Sequence, residues 1–434
     1  MTLIEIACAK ILQRVEERMI SIRGAIEDYI RIDPSVRNVR DVILALCLGT
    51  VRNYILLDRL LNYVGISIEK LDNFRKYLLR VLAYEIKFRN IQPDRVARVL
   101  KSSKIANVRP EDILKIKEIT VEEVVKDLNN VEKLSVIYSI PRWLVEYLLK
   151  YFPENEVEKM LKAFNEKAVM YIRVNITRIS RDELVRRLRD RGADVIEDED
   201  LPDIVKVRSL NISLEKIPEY REGLFYIQDK ASALVSHVAV TYVSDARNVL
   251  DVCSAPGGKA MHLSELKNRK IHITALDVSY KRIETENNLL KKYSYYNVDV
   301  ICTNALKPCV RSRGFDLVLV DPDCTSLGKL AHSPEVRLWI RKHHINEYAR
   351  HQYKILRAVI SNVCTRSTYI LYSTCTITFE ENEHNIKKLI DEQGLELVEL
   401  SSFSKFQNPF LKGTLRLFPH VHETNGYFIA LLKL

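Results

Sequence analysis

Val249-Leu250-Asp251-Val252-Cys253-Ser254-Ala255-Pro256-Gly257-Gly258-Lys259 is a short apolar run, an acid, a turn of small residues and the start of a helical pattern. A run of this kind bounded by Pro-Gly-Gly reads as a buried strand, and glycines between a strand and a helix let the backbone approach a ligand closely. A phosphate-binding Walker loop is excluded. That loop needs Gly five positions before the Gly of its Gly-Lys pair and Ser or Thr after it, where this chain has Cys253 and Ala260.

The pattern continues downstream. Strands are expected over 249–252, 271–276, 298–303, 315–320 and 368–373, with helical spacing between them, which predicts a doubly wound parallel sheet of the Rossmann-like α/β class. Runs such as Phe315-Asp316-Leu317-Val318-Leu319-Val320 suit strands covered on both faces. Upstream the texture differs. Ile4, Ala7, Ile11, Leu12 and Val15 begin a helical periodicity, so residues 1–134 are expected to form an all-α domain. Residues 135–225 mix helical and strand-like stretches around the acidic Glu197-Asp198-Glu199-Asp200 and read as a small α+β module, which leaves 226–434 for the Rossmann-like domain. A chain of 434 residues is long enough for two or three such domains.

Composition narrows the class of protein. With 47% hydrophobic and 29% charged residues the chain is globular rather than disordered. No apolar run approaches the length of a membrane span and the N-terminus lacks a signal-peptide pattern, so a cytoplasmic protein is expected. The net charge of +10 would attract a phosphate backbone. The eight cysteines include no CxxC pair, so reduced thiols and no metal are expected.

In a doubly wound sheet ligands bind outside the carboxyl ends of the strands, and four of the predicted ends carry suggestive residues. The first is the turn Cys253, Ser254, Ala255, Pro256, Gly257, Gly258 and Lys259; the second is Asp277, 26 residues after Asp251, where an acid accepts hydrogen bonds from ribose hydroxyls. Asn304 follows the third strand in the same way. Taken singly, Gly257-Gly258 reads as a tight turn and Asp277 as a helix cap; together they favour an adenosine ligand. The remaining sets are Asp321-Pro322-Asp323-Cys324-Thr325 and Tyr372-Ser373-Thr374-Cys375. Free cysteines are commonly buried hydrophobes, which accounts for Cys8, Cys47, Cys302, Cys309 and Cys364. Cys324 and Cys375 differ in following polar residues at strand ends. Two thiols beside an adenosine site suit methylation of cytosine C5, a carbon that becomes nucleophilic only after a thiolate adds at C6. A second group must then help remove the C5 proton. Lys259 suits the developing charge at the O2/N3 edge, and Asp321 suits the exocyclic amine.

On these motifs the chain resembles the RsmB/Nop2/Sun family of RNA cytosine-C5 methyltransferases, with Ser373-Thr374-Cys375-Thr376 running on into Glu380-Glu381-Asn382-Glu383. The resemblance implies a class I methyltransferase fold using S-adenosylmethionine, with Cys375 as nucleophile and Cys324 assisting release. It also implies Asp277 at the ribose, Asn304 near the adenine and Asp321 at the base, alongside the 253–259 turn. Pro141-Arg142-Trp143, Arg173-Val174-Asn175 and Gln228-Asp229-Lys230-Ala231-Ser232 are similar to the family's ferredoxin-like or RRM-like module, and the helical N-terminus resembles a NusB-like RNA-binding domain. The implied partner is RNA, ribosomal or transfer, and a monomer is the expectation. Three departures stand out. Asp323 occupies the position directly before Cys324 where the family has Pro, and like-charge repulsion there would raise the thiol's pKa. Asn304 stands where an acid is common, and Asn425-Gly426 where Asp-Gly is usual.

Two rivals compete. One is an RNA-binding assembly or antitermination factor that has lost turnover, against which stands the retention of Cys375, Lys259 and Asp321 together. The other is an amino-group methyltransferase, which needs an aromatic ring where Cys324 lies.

Overall fold

The computed structural model describes residues 3–105, 108–310 and 314–434. They fold into two compact units, Met1–Lys167 with Leu330–Lys342, and Ala168–Lys329 with His343–Leu434.

The first unit is helical. Helix Ile4–Arg18 buries Ala7, Cys8, Ile11, Leu12 and Val15, one stripe at helical spacing. Caps set the register of later helices: the Asp72 side chain accepts from the Arg75 amide before helix Asn73–Tyr84. Asn129 and Glu132 form a reciprocal capping box before Asn130–Tyr138. The expected boundary at residue 134 falls inside that last helix, and helices continue through Glu154–Asn165. The segment 330–342 is an excursion from the α/β part of the sequence that folds here. Leu338 joins the helical core, Glu335 Oε1 accepts from the Ile22 amide at 3.3 Å, and Arg52 donates to the Ala331 carbonyl at 2.9 Å.

The second unit carries two sheets. The smaller contains β1 (Met170–Val174), β2 (Asp194–Glu197), β3 (Ile204–Ser209) and β4 (Phe225–Ile227), in the order β2-β3-β1-β4 and antiparallel throughout. Helix Arg181–Asp190, capped by Ser180, buries Leu184, Val185 and Leu188 in the core shared with this sheet. The boundary expected at 225 lies within β4.

The larger sheet contains β5 (Asn248–Asp251), β6 (His272–Asp277), β7 (Val298–Cys302), β8 (Leu317–Val320), β9 (Tyr369–Thr374), β10 (Glu396–Val398), β11 (Leu415–Leu417) and β12 (Tyr427–Lys433). Its order is β10-β12-β9-β8-β5-β6-β7, with β11 paired to β12. The five strands expected from the sequence are all present and mutually parallel. The sheet as a whole is mixed rather than parallel, because β12 runs antiparallel beside β9, pairing Phe428 with Thr374. The apolar strand runs bury Val249, Leu317, Leu319 and Leu371 on one face and Leu250, Val318, Val320 and Ile370 on the other.

Buried polar contacts tie β1 and the residue before β3 to the helices Lys230–Tyr242 and Gly258–Leu266. Arg173 of β1 forms a bidentate pair with Glu265 at 2.8 and 3.0 Å. Asp203 meets Nε2 of His237 at 2.7 Å and of His262 at 2.6 Å.

Candidate active site

Asp251, Asp277, Asp321 and Cys375 stand at or directly after the carboxyl ends of β5, β6, β8 and β9, so parallel pairing brings them to one edge of the sheet. Val320 pairs with Tyr372, which sets the following residues side by side: Ser373 donates to Asp321 Oδ1 at 2.8 Å. The other Asp321 oxygen takes an ion pair from Lys259, and Tyr427, at the start of β12, donates to Oδ1 at 3.2 Å. Burial is the largest single effect and works against charge on Lys259, but the Asp321 carboxylate and Tyr427 together outweigh it and hold the ammonium well above the ordinary lysine value.

The two thiols meet. Cys324 Sγ lies 3.2 Å from Cys375 Sγ, and Ser326 Oγ is 3.8 Å from the latter. Donation from Cys324 brings Cys375 down to about 7 against the effect of burial, helped by the Lys329 charge and the Ser326 hydroxyl. Cys324 moves the opposite way, well above the usual thiol value, through its bond to Cys375, its burial and the nearby Glu381. The pair is therefore polarised into a protonated Cys324 and a thiolate-prone Cys375. The direction expected for Cys324 holds, but its cause does not. Asp323 is an exposed side chain facing Arg282 at 3.5 Å, and the neighbours that raise Cys324 are Cys375 and Glu381.

Backbone contacts fix the loops that carry these thiols. Gly328 donates to the Cys375 carbonyl at 3.1 Å and accepts from Gly426 at 2.8 Å. A Cβ on Gly328 would lie 2.0 Å from the Gly426 oxygen, so no other residue fits there without moving the chain. Asn425-Gly426 thus retains the close approach despite its departure from Asp-Gly.

Glu381 is the residue whose role sequence reasoning missed. Fully buried, it accepts from the Thr325 amide at 2.9 Å, and from Thr325 Oγ1 at 2.5 Å, Thr378 at 2.7 Å, Gln352 at 2.8 Å and Thr376 at 3.4 Å. It clamps the residue after Cys324 to the residue after Cys375. Its neighbour Asn382 accepts from Thr374 at 2.5 Å and donates to the Thr376 carbonyl, while Glu383 pairs with buried Arg416. The Glu380–Glu383 run had been visible only as a motif; its signal was polar residues at a strand exit with no obvious ligand.

The turn from Cys253 to Lys259 lies beside a second carboxylate cluster. Gly257 has φ 92°, and a Cβ there would meet Glu286 Oε1 at 2.8 Å. Ser254 donates to Glu286 at 2.8 Å, whereas Glu286 Oε1 and both oxygens of buried Asp251 have no hydrogen-bond partner. Burial pushes Asp251 up to about 8 and Glu286 up to about 7. Asp277 accepts from the Ser279 amide at 2.9 Å and faces Arg282 at 3.3 Å; Arg282 also donates to the Ala255 carbonyl in the turn. Asn304 is exposed and caps the turn after β7, accepting from the Leu306 amide at 2.9 Å. Glu286 and Arg282 were also not singled out from sequence, since both lie on the exposed-looking helix Tyr280–Lys292. Orphaned acceptors next to a glycine turn fit a cationic, hydroxyl-bearing ligand such as S-adenosylmethionine.

The profile of the 16S rRNA methyltransferase RsmB/F family matches residues 239–433, that of the ferredoxin-like domain of RsmF/B-like methyltransferases residues 140–211, and that of the NusB family residues 4–101. The chain belongs to the RsmB/F methyltransferase family. Among its relatives is the probable ribosomal RNA small subunit methyltransferase B of Bacillus subtilis, 27% identical across 91% of this chain and 90% of the relative. The tRNA (cytosine(72)-C(5))-methyltransferase of Pyrococcus horikoshii is 32% identical over 51% of this chain and 55% of its own length. The crystal structure of PH0851 superposes with a TM-score of 0.81 at 25% identity, covering all of both chains. The three profiles thus follow one another along the chain, NusB first, the ferredoxin-like domain next and the methyltransferase last. Among the described residues no helix is long and apolar enough to cross a membrane.

Proposed function

We propose that this protein methylates C5 of a cytosine in RNA, small-subunit ribosomal RNA in the first instance, through a covalent bond between Cys375 and C6 of the base. The observation that carries the reading is the polarised thiol pair, 3.2 Å apart at the edge where the glycine turn also ends. Relatives that match nearly the full length are named for ribosomal RNA, while one matching about half is named for tRNA, which favours the former substrate.

Bound in the turn between Cys253 and Lys259, S-adenosylmethionine supplies the methyl group. Asp277 suits the ribose hydroxyls, Asn304 the edge of the adenine, and the unpartnered carboxylate of Asp251 the cationic end. The chain's own groups do the rest. The Cys375 thiolate adds to C6, and the electron pair moves into the ring, where the Lys259 ammonium donates toward the O2/N3 edge. Asp321, held by Ser373 and Tyr427, presents its carboxylate to the exocyclic amine. Once C5 carries the methyl group its proton must leave to a base; the C6–S bond then breaks and Cys375 departs as thiolate. Cys324 reaches the base role only after losing its own proton, so it acts in release and not in attack.

The test separates attack from release. Cys324→Ala is expected to accumulate a protein–RNA adduct stable in denaturing gels. Cys375→Ala should form none and lose methyl transfer by the order of 10⁴–10⁶ seen on deleting a catalytic nucleophile. Full activity in Cys375→Ala would refute the covalent route.

A further inference from the structure

The surroundings that make Cys375 a nucleophile toward cytosine also suit it to a second reaction. Cysteines that react with peroxides share three properties: a thiol ionised near neutral pH, access from solvent, and a second thiol close enough to attack the oxidised sulfur. Cys375 has all three. The Cys324 thiol, then the Lys329 charge and the Ser326 hydroxyl, favour its thiolate against the effect of burial. It is half-buried, as is Cys324, so neither sulfur is sealed in the core. The sulfurs lie 3.2 Å apart, and a disulfide needs ~2 Å, so about an ångström of side-chain movement joins them.

The fold keeps the sulfurs together without help from a ligand. Thr325 and Thr376, which follow the two cysteines, meet through their hydroxyls at 2.7 Å, and both donate to Glu381. Two comparisons show how selective the combination is. Cys8 also lies against a second thiol, that of Cys47, but both residues are fully buried and burial pushes Cys8 well above the usual thiol value. Cys253 is half-buried at the glycine turn, but burial and the Asp251 carboxylate raise it in the same way.

We propose that Cys375 is a site of modification by hydroperoxides and Cys324 its resolving thiol, the pair closing into a disulfide that reversibly stops methylation. The consequence for turnover rests on the assignment of Cys375 as the methyltransferase nucleophile; the thiol chemistry stands without it. With hydrogen peroxide, the Cys375 thiolate attacks one oxygen, the O–O bond breaks, and hydroxide leaves and takes a proton from solvent to become water. Cys375 is now a sulfenic acid. Cys324 then gives up its proton and attacks Cys375 Sγ; the S–O bond breaks, and hydroxide leaves with that proton as a second water. The two sulfurs have lost two electrons and the peroxide has gained them. A reducing thiol reverses the change by exchange, so the nucleophile is stored and not destroyed.

The test uses the full-length protein, reduced, freed of reductant, treated with a small excess of hydrogen peroxide, blocked with N-ethylmaleimide in denaturant and digested with trypsin. Lys329 and Arg366 place Cys324 and Cys375 in separate tryptic peptides, each with no other cysteine. The expected product is these two peptides linked, lighter than their sum by two hydrogens, while Cys8, Cys47 and Cys253 are recovered as blocked thiols. Methyl transfer should fall in proportion to the linked fraction and return in the same proportion with dithiothreitol. In Cys324→Ser the same treatment should carry Cys375 on to the sulfinic acid, which dithiothreitol does not reverse. That product is read by mass and needs no turnover from the variant. A wild type in which Cys375 gains two oxygens without linkage, or in which both peptides stay unlinked, would overturn the proposal. So would linkage that leaves methyl transfer undiminished. Linkage in a protein that transfers no methyl group before treatment would uphold the thiol chemistry and refute the functional reading instead.

Discussion

Around the thiols two carboxylates are fully engaged: buried Glu381 takes five hydrogen bonds and both oxygens of half-buried Asp321 are occupied. Around the glycine turn, Asp251 and Glu286 bury three carboxylate oxygens that meet no donor. The same sheet edge therefore carries one region whose geometry is complete from the chain alone and one that is complete only with a ligand. Preorganisation of the first matters because the nucleophile must be held in place before the base arrives. Tolerance of unpaired acceptors in the second is the ordinary cost of a binding site, offset when donors are supplied.

The sharpest way to break this contrast is to disorganise the completed region. Glu381→Ala strands the Thr325 amide and the donors of Gln352 and Thr378, each costing about 1–3 kcal/mol when buried without a partner. Denaturant titration should show a loss of several such increments, and turnover should fall about 100-fold, the scale of a catalytic group misplaced by about an ångström. Cofactor affinity should change much less. If it falls in parallel with turnover, the two regions are not independent.

The second variant acts on the ligand-dependent region. Asp251→Asn keeps the shape and removes the ionisable group. Because burial raises Asp251 to about 8, the folded protein resists its ionisation while the unfolded chain releases the proton near 3.8. Stability therefore falls as pH rises through this window, by up to about 1.4 kcal/mol per pH unit for one proton, and is constant outside it. The variant should be as stable as the parent at pH 4 and more stable at pH 7, read by urea titration at each pH. Its calorimetric affinity for S-adenosylmethionine should drop about tenfold. A parent protein whose stability does not decline between pH 4 and 8 would contradict the burial argument.

What was legible in the sequence follows the same division. Strand cores and their polar ends were readable because a strand covered on both faces must be apolar and must stop where it is not, so Asp251, Asp277, Asp321 and Cys375 came out at the right edge. The antiparallel β12 escaped because Tyr427-Phe428-Ile429-Ala430-Leu431-Leu432 is as apolar as its parallel neighbours, and direction leaves no mark in composition. Glu381 escaped because its partners Thr325, Gln352 and Thr378 are scattered in sequence and become a clamp only after folding. The excursion of residues 330–342 escaped for a related reason: nothing local indicates that they leave the α/β part to fold with the helices. The effect of Asp323 was overestimated because adjacency in sequence says nothing of which way a side chain points, and here it points to Arg282.

The smallest expected effect sharpens the comparison most, since it probes how finely the thiol region is tuned. Cys375 is brought to about 7 by three groups acting together, Cys324, Lys329 and Ser326. Lys329 is in turn held protonated chiefly by Cys375, as expected of a cation facing a thiolate. Alkylation of Cys375 by iodoacetamide, followed by peptide mass spectrometry, should titrate with a midpoint near pH 7 in the parent. Lys329→Met removes the charge and should move the midpoint upward, and Ser326→Ala should move it upward by less. One neutral hydrogen bond is worth about 0.5–1.5 kcal/mol, which is roughly one pH unit at most. A raised midpoint lowers the thiolate fraction at pH 7, so methyl transfer at that pH should fall in the same proportion and recover in part at pH 8.5, where more of the variant's thiol is ionised. If turnover falls equally at the two pH values, Lys329 serves the loop's shape and not the nucleophile's charge.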